Sequence, residues 1–172
     1  MRPSKDQYYL NIAKAVAGRS TCFRSKGGAI IVRDDQIIST GYIGAPRKTK
    51  DCLERGNCLR DELNVPRGTK YELCRSVHAE ANVIINAARA GVSLLNGSMY
   101  LYIEDAKTGE VLNAFPCFFC KRMIVNSGLD SFIALKDGEI IVHKIKDWVE
   151  EWREKDIVED KYKYGGDQND KK

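Results

Sequence analysis

The sequence predicts a single α/β domain, because segments with the apolar spacing of a helix alternate along the chain with short runs typical of β-strands. Its 172 residues are enough for one domain whose core needs no disulfides. Neither an internal repeat nor a linker divides the chain. We therefore expect one domain over residues 5–160 and a polar, loosely held tail over residues 161–172.

The first expected elements are a helix and a β-hairpin. Residues 5–17 carry apolar side chains at helical spacing, and Gly18 ends that pattern. Two apolar runs then follow, residues 29–32 and 36–40, with a polar turn at 33–35 between them. Short apolar runs on either side of a polar turn predict an antiparallel hairpin.

The segment 44–74 shows little periodicity and contains Pro46, Gly56, Pro66 and Gly68. The sequence therefore predicts a long excursion without secondary structure of its own. Such a loop is unusual in a compact domain unless something holds it in place.

The second half of the chain returns to alternating elements. We predict, in order, a helix over 77–89, a strand over 98–103, a helix over 116–125, and strands over 131–135 and 139–143 joined by a tight turn. A charged amphipathic helix follows, with Ile145, Trp148, Val149 and Trp152 on its apolar face. Core packing of that face is favoured over an oligomer contact.

Composition narrows the function classes. Apolar residues make up 43% and charged residues 30% of the chain, which excludes a fibrous or wholly disordered protein. No apolar run approaches the roughly 20 residues of a membrane span, and the N-terminus lacks the pattern of a signal peptide. We therefore expect a cytoplasmic protein. A net charge of +4 suits a small anionic substrate but does not by itself indicate nucleic-acid binding.

Six cysteines in a reducing compartment raise the question of metal binding. The segments His78-Ala79-Glu80 and Pro116-Cys117-Phe118-Phe119-Cys120 together match a zinc-deaminase signature, H-x-E followed by P-C-x-x-C. Cysteines three residues apart at a helix start share one face, and the positive helix N-terminus stabilises their thiolates. His78, Cys117 and Cys120 are therefore the predicted ligands of a catalytic zinc, which leaves a fourth position for water.

Glu80 is the predicted catalytic acid and base of this site, not a metal ligand. On an ideal helix His78 and Glu80 point about 200° apart, so they share a site only over the first turn. The helix should therefore begin close to Val77 or His78.

The other four cysteines are Cys22, Cys52, Cys58 and Cys74, three of them in the excursion. Four thiolates make a closed tetrahedral zinc site, which would provide the hold that the excursion otherwise lacks. The alternatives are four reduced cysteines without metal, or a site in which a His, Asp or Glu replaces one of them.

From about Tyr8 to Leu135, the sequence resembles the deoxycytidylate (dCMP) deaminases of the cytidine deaminase-like superfamily. The resemblance rests on RSTCFR at 19–24, GAIIVRDDQIISTGY at 28–42, Gly44-Ala45-Pro46, Cys52, CRSVHAE at 74–80, and the PCxxC segment. It implies a three-layer α/β/α sandwich with a five-stranded mixed sheet. It also implies a second zinc that uses positions like Cys22 and Cys52, a homo-oligomer that can be a hexamer, and regulation by dCTP and dTTP.

By position, the resemblance implies that Arg24 and Lys26 contact the substrate phosphate. Arginine suits bidentate phosphate contacts, and lysine adds a point charge. The backbone carbonyl of Ala79 is expected to contact the substrate amino group. One or more of the aromatic residues Phe115, Phe118 and Phe119 could wall the base.

One position departs from the family pattern, which usually reads GYNG where this chain has Gly41-Tyr42-Ile43-Gly44. Ile43 has no polar side-chain atom, so a hydrogen bond to the sugar or base is lost or is supplied elsewhere, for example by Asn113. The reaction class survives this departure, but substrate identity depends on it.

The leading hypothesis is zinc-dependent hydrolysis of dCMP to dUMP and ammonia, with another cytosine nucleoside or nucleotide as an alternative substrate. Editing of a base in tRNA would need an electropositive surface. Arg47, Lys48 and Lys50 form only a small basic cluster, which we interpret as a solvated loop, and nucleic acid is not the expected partner. A third hypothesis is a non-catalytic, zinc-binding regulatory or assembly subunit. Glu80 argues against it, because a structural site has no use for a carboxylate beside the metal.

Overall fold

The computed structural model describes residues 2–155. In chain order the elements are α1 (Lys5–Ala17), β1 (Ser25–Arg33), β2 (Gln36–Tyr42), α2 (Cys52–Arg55), α3 (Leu59–Glu62), a 3-10 turn (Tyr71–Leu73), α4 (Ala79–Arg89), β3 (Ser98–Asp105), α5 (Phe118–Asn126), β4 (Ser131–Lys136), β5 (Glu139–Lys144) and α6 (Ile145–Glu154). The expected end of the domain at residue 160 and the tail at 161–172 lie outside the described residues, so the domain bounds stay a prediction.

A five-stranded mixed sheet forms the centre of the fold, in the order β2-β1-β3-β4-β5. Strands β3 and β4 run parallel, whereas the other neighbouring pairs are antiparallel. Both predicted hairpins are present, and their tight turns use residues with positive φ, Asp34 and Asp35 in one and Asp137 and Gly138 in the other. The mixed five-stranded sheet expected from the family resemblance is confirmed.

Helices cover both faces of this sheet. On one face α1 packs against Ile30, Tyr100 and their neighbours, and on the other α4, α5 and α6 pack in a cluster that includes Ile31 and Leu101. Side chains alternate between the two faces along a strand, so β1 is buried on both. The expected three-layer α/β/α arrangement is therefore confirmed.

Two glycines let helix backbones approach the sheet closely. A Cβ on Gly28 would lie 2.2 Å from the carbonyl oxygen of Ala13 in α1, and one on Gly41 would lie 2.3 Å from the backbone nitrogen of Val83 in α4. Neither position has room for a larger residue. The absence of a side chain at Gly41 lets the start of α4, from Ala79 to Val83, lie directly against β2.

The excursion 44–74 is not without secondary structure, and that expectation was wrong. It contains the one-turn helices α2 and α3 and the 3-10 turn. Asp51 and Glu54 form a reciprocal capping box at the start of α2, a D-x-x-E pattern that is visible in the sequence. Elements of three or four residues are too short to leave an apolar periodicity, which is why the excursion resembled a plain loop.

The C-terminal helix α6 packs on the core, as the spacing of its apolar residues predicted. Trp148 is buried, and the ammonium group of the fully buried Lys121 lies 5.0 Å from its ring centroid and 4.7 Å from that of Trp152. This cation–π arrangement ties α6 to α5. Among the described residues, no helix has both the length and the hydropathy needed to cross a membrane.

Candidate active site and metal centre

Three of the predicted metal ligands meet at one point. The Nδ1 atom of His78 lies 3.5 Å from the Sγ atoms of both Cys117 and Cys120. Ligand atoms of all three residues fall within 4.8 Å of one another, and no other group of three His, Cys, Asp or Glu residues in the described part of the chain does so. An imidazole and two thiols at this spacing form a donor set that suits zinc.

Helix starts position these ligands. His78 is the N-cap of α4 and Cys117 is the N-cap of α5, both with extended backbone, and Cys120 lies in the first turn of α5. The expectation that the first helix begins close to His78 is confirmed. The second helix starts at Phe118, slightly later than predicted, so Pro116 precedes the N-cap. The helix N-termini direct unpaired N–H groups and partial positive charge toward the thiols.

Glu80 lies in the first turn of α4 and is only 4% exposed. Burial raises the pKa of its carboxyl, and the nearby Cys117 acts in the same direction. A carboxyl group with a raised pKa exchanges protons near neutral pH more readily than an exposed one. The residue therefore suits proton transfer beside the metal ligands.

The two thiols are not equivalent. A hydrogen bond from Cys120 lowers the pKa of Cys117 to about 4, while burial acts in the opposite direction. The same hydrogen bond, together with burial, raises the pKa of Cys120. Burial also acts to lower the pKa of His78, but its hydrogen bond with Cys117 and the charge of Glu80 outweigh burial and raise it. A thiolate is thus already favoured at Cys117.

A cavity of about 820 Å³ opens onto this group. His78, Glu80 and Cys117 form part of its wall, together with Phe115 and Tyr71. The Tyr71 ring meets the His78 ring edge-on, with centroids 4.7 Å apart. Burial raises the pKa of Tyr71 to about 12, so its phenol is neutral at physiological pH. The cavity has the size and the mixed lining typical of small-molecule sites.

The chain matches the family model described as the cytidine and deoxycytidylate deaminase zinc-binding region, over residues 3–136. The chain belongs to this family. The fold, the His/Cys/Cys group and the match agree, and together they support zinc as the metal of the site.

Two relatives carry the name deoxycytidylate deaminase. The protein of Mycobacterium phage D29 is 35% identical over 142 residues, which cover 80% of this chain and 98% of the phage protein. The protein of Saccharomyces cerevisiae is 32% identical over 133 residues, which cover 77% of this chain and 38% of the yeast protein. This chain therefore corresponds to nearly the whole phage relative and to less than half of the yeast one.

A solved structure with the same fold is the dCMP deaminase from the cyanophage S-TIM5 in complex with dCMP and dUMP. Its TM-score is 0.56 at 24% sequence identity, over 78% of this chain and 82% of that chain. At this identity the similarity concerns the fold, which it places among the cytidine deaminase-like α/β proteins.

The other four cysteines line the same cavity as His78 and Cys117. Cys22 accepts a hydrogen bond of 3.4 Å from the backbone N–H of Arg24, and Cys58 is the N-cap of α3. Burial raises the pKa of Cys52, and nearby Cys22 and Cys58 act in the same direction. The four thiols share one neighbourhood, but no three of them meet as closely as His78, Cys117 and Cys120 do.

The two predicted phosphate contacts lie at different distances from the cavity. Arg24 lines it, but its guanidinium pairs with Asp61 and donates a 2.8 Å hydrogen bond to the carbonyl of Val65. Lys26 is not among the lining residues, and its ammonium lies 3.9 Å from a carboxylate oxygen of Glu104. Both cations thus have carboxylate partners in this structure.

The remaining expectations concern Ala79 and Ile43. Ala79 is fully buried, its carbonyl oxygen faces Gly41, and the residue is not part of the cavity wall. Ile43 does line the cavity and lies over Gly27 beside Ile103. This part of the wall is therefore apolar.

Four further side chains, Asn113 and three aromatic residues, had possible roles beside the substrate. The amide of Asn113 exchanges hydrogen bonds of 2.7 and 2.9 Å with Asp137, so it is committed to the β4–β5 turn. Of the three candidate aromatic residues, Phe115 lines the cavity, whereas Phe119 is 58% exposed on the outer face of α5.

Sequence reasoning missed Tyr71 and Arg60, which also line the cavity. The guanidinium carbon of Arg60 lies 5.0 Å from the Tyr71 ring centroid. Neither residue belongs to a motif or to a periodic run. Only the tertiary fold of the excursion brings Tyr71 and Arg60 to the site.

Proposed function

We propose that this protein catalyses the hydrolytic deamination of dCMP to dUMP and ammonia. The observation that carries the proposal is a buried glutamate, Glu80, beside a His/Cys/Cys group that opens onto a cavity of nucleotide size. Membership of the deaminase family and the names of the relatives support the substrate.

In this proposal His78, Cys117 and Cys120 hold the catalytic zinc. Two thiolates and a neutral imidazole leave a divalent zinc nearly neutral and keep one position open. When bound there, zinc would lower the pKa of a coordinated water toward 7. The chain's own contribution is to orient the three ligands from two helix starts and to wall the site with Tyr71 and Phe115.

Glu80 moves the protons. Its carboxylate accepts a proton from the attacking water and delivers it to the ring nitrogen N3 of the cytosine. A second proton transfer through the same carboxyl completes the leaving ammonia, so dCMP and water become dUMP and ammonia. Burial raises the pKa of Glu80, which makes its carboxylate a stronger base for the first of these transfers.

Substrate contacts form a further part of the proposal. Arg24 and Lys26 stay candidate phosphate contacts, although each would have to share its charge with Asp61 or Glu104. The Ala79 carbonyl stays the candidate partner of the amino group. Ile43 presents an apolar surface to the sugar or base, which removes a hydrogen bond that an asparagine would make.

We also propose a second, structural zinc, bound by Cys22, Cys52, Cys58 and Cys74. Its support is their shared neighbourhood and the N–H group of Arg24 that donates to Cys22. Closing such a site requires the thiols to move closer together than they are here.

Assembly, regulation and location follow from the family resemblance and from composition. We propose a homo-oligomer that can be a hexamer, with dCTP and dTTP as effectors and a cytoplasmic location. Light scattering with and without each nucleotide would test assembly and effector binding together.

The decisive experiment is ammonia release from dCMP, CMP, dCTP, deoxycytidine and cytidine by zinc-loaded protein. We expect dCMP to be the best substrate and Glu80→Gln to lower its turnover at least about 1000-fold. Glu72→Gln is the matched control, because Glu72 is an exposed carboxylate on the nearby 3-10 turn and should leave turnover unchanged.

If none of the five compounds releases ammonia, the proposed nucleotide deaminase activity is wrong. Salt-dependent tRNA binding in that case would favour base editing, and its absence would favour a non-catalytic subunit. Activity on another compound in place of dCMP would keep the mechanism and point to Ile43 as the source of the changed specificity.

A further inference from the structure

Arg60 is a buried cation at the cavity wall. It lies on α3, is only 6% exposed and lines the same cavity as His78 and Glu80. Within residues 2–155 no Asp or Glu forms an ion pair with it. A buried charge without a partner of opposite sign is costly, so such a residue calls for an anion.

Two of the three other arginines of the cavity wall already have carboxylate partners. Arg24 pairs with Asp61, and Arg67 donates a 2.7 Å hydrogen bond to Asp105. Arg75 donates to the backbone and side-chain oxygens of Asn57 and also interacts with Cys52. Arg60 therefore differs from Arg24 and Arg67 in having only neutral partners, and from Arg75 in being buried.

Those neutral partners hold the guanidinium in place. Its Nη2 atom donates to the carbonyls of Pro66 and Thr69 at 2.9 and 2.6 Å, and its carbon lies 5.0 Å from the Tyr71 ring centroid. Backbone carbonyls and a ring face fix the orientation without neutralising the charge. The Nε atom is fully buried and, among the described residues, has no hydrogen-bond partner.

The position of Arg60 relative to the metal ligands suits the phosphate group of a bound nucleotide. The Tyr71 ring contacts both residues, with its centroid 5.0 Å from the Arg60 guanidinium carbon and 4.7 Å from the centroid of the His78 ring, so two short contacts link the guanidinium to the metal-ligand group. In a nucleoside monophosphate the phosphate is separated from the base by one sugar. A base at Glu80 would thus place its phosphate on the side where the excursion presents its cations.

We propose that Arg60 binds the substrate phosphate and determines the preference for a nucleotide over a nucleoside. The inference rests on the proposed function, because it takes the base to be deaminated beside Glu80. Arg24, a candidate phosphate contact itself, then also positions Arg60, since its ion pair with Asp61 anchors α3. Arginine suits this role because it presents several donors to phosphate oxygens.

The test compares dCMP with deoxycytidine, which lacks the phosphate, in wild-type and Arg60→Met proteins loaded with zinc. We expect Arg60→Met to lower kcat/KM for dCMP about 100-fold and to change that for deoxycytidine less than about threefold. Arg55→Met is the matched control, because Arg55 is an exposed arginine of the same excursion that does not line the cavity. It should change neither value by more than about threefold.

Binding of dUMP and deoxyuridine, measured by calorimetry, tests the inference without turnover. Wild type should bind dUMP at least about tenfold more tightly than deoxyuridine, and Arg60→Met should remove that difference. Should Arg60→Met fail to fold, Arg60→Lys replaces it and should retain only part of the dUMP preference.

Equal losses on both substrates, or an unchanged preference for dUMP, would overturn the phosphate role and leave Arg60 as a structural residue. Failure of the proposed function has a different signature. In that case wild type would deaminate neither compound, while the two binding comparisons would still decide whether Arg60 recognises a phosphate.

Discussion

The molecule contains two groups of cysteines that differ in how they are held. Cys117 and Cys120 meet His78 at the starts of two regular helices, with all ligand atoms within 4.8 Å of one another. The other four thiols lie before β1 or in the excursion 44–74, close to the same cavity but less closely gathered.

The comparison shows that core packing can bring potential metal ligands together. Helices α4 and α5 pack on the same face of the sheet, so their N-termini are placed by the core. The excursion has no comparable apolar face and is held by arginine side chains, such as Arg24 to Asp61 and Arg67 to Asp105. Core packing positions atoms more tightly than exposed polar contacts do.

The largest effect on activity is expected from removing one of the predicted zinc ligands at the helix starts. Cys120→Ser should remove the catalytic zinc and lower deaminase turnover at least about 1000-fold, because a hydroxyl is a poor zinc ligand at neutral pH. Zinc content by atomic emission and ammonia release check this prediction. Retention of activity with a full zinc content would contradict the assignment of Cys120 as a ligand.

A smaller effect is expected from disturbing the packing that positions this group. Gly41→Ala would place a methyl group 2.3 Å from the backbone nitrogen of Val83, so α4 must shift. We expect a loss of about 1–3 kcal/mol in the free energy of unfolding, measured by urea denaturation. Activity should fall as well, since α4 carries both His78 and Glu80.

The matched control is Gly18→Ala, at the C-cap of α1 with helical φ and a nearest contact of 3.2 Å. It should cost much less stability than Gly41→Ala. Equal costs at the two glycines would mean that the close approach of α4 to β2 is not what makes position 41 special.

The smallest effect on catalysis is expected from the second group of cysteines. Cys58→Ser should lower the zinc content from two ions per chain to one, while kcat on dCMP changes less than about threefold. Without a chelator this variant should unfold at a lower temperature than wild type, and a chelator should narrow that difference. If both proteins contain one zinc ion per chain, the proposal of a structural zinc is wrong. The arginine contacts would then be what stabilises the excursion.

Sequence reasoning located residues that lie together in space where local pattern and chemistry coincide, and their roles as metal ligands and as catalytic acid and base stay predictions. The positions of His78, Glu80, Cys117 and Cys120 follow from short motifs at helix starts, and the structure brings all four together. It failed for the excursion, where α2 and α3 are each four residues long and leave no periodic signal. It also missed the carboxylate partners of Arg24 and Lys26, because nothing local marks Asp61 or Glu104 as their neighbours.

The sequence by itself determined the alternation of helices and strands, the two sheet hairpins and a set of residue types that suits zinc. These are local properties, set by side-chain spacing, turn residues and ligand chemistry over a few positions. Only the tertiary structure decided that Arg60 and Tyr71 reach the cavity and that Arg24 is already paired. Contacts between distant parts of the chain depend on how layers and loops pack, and a single sequence carries no local signal for that.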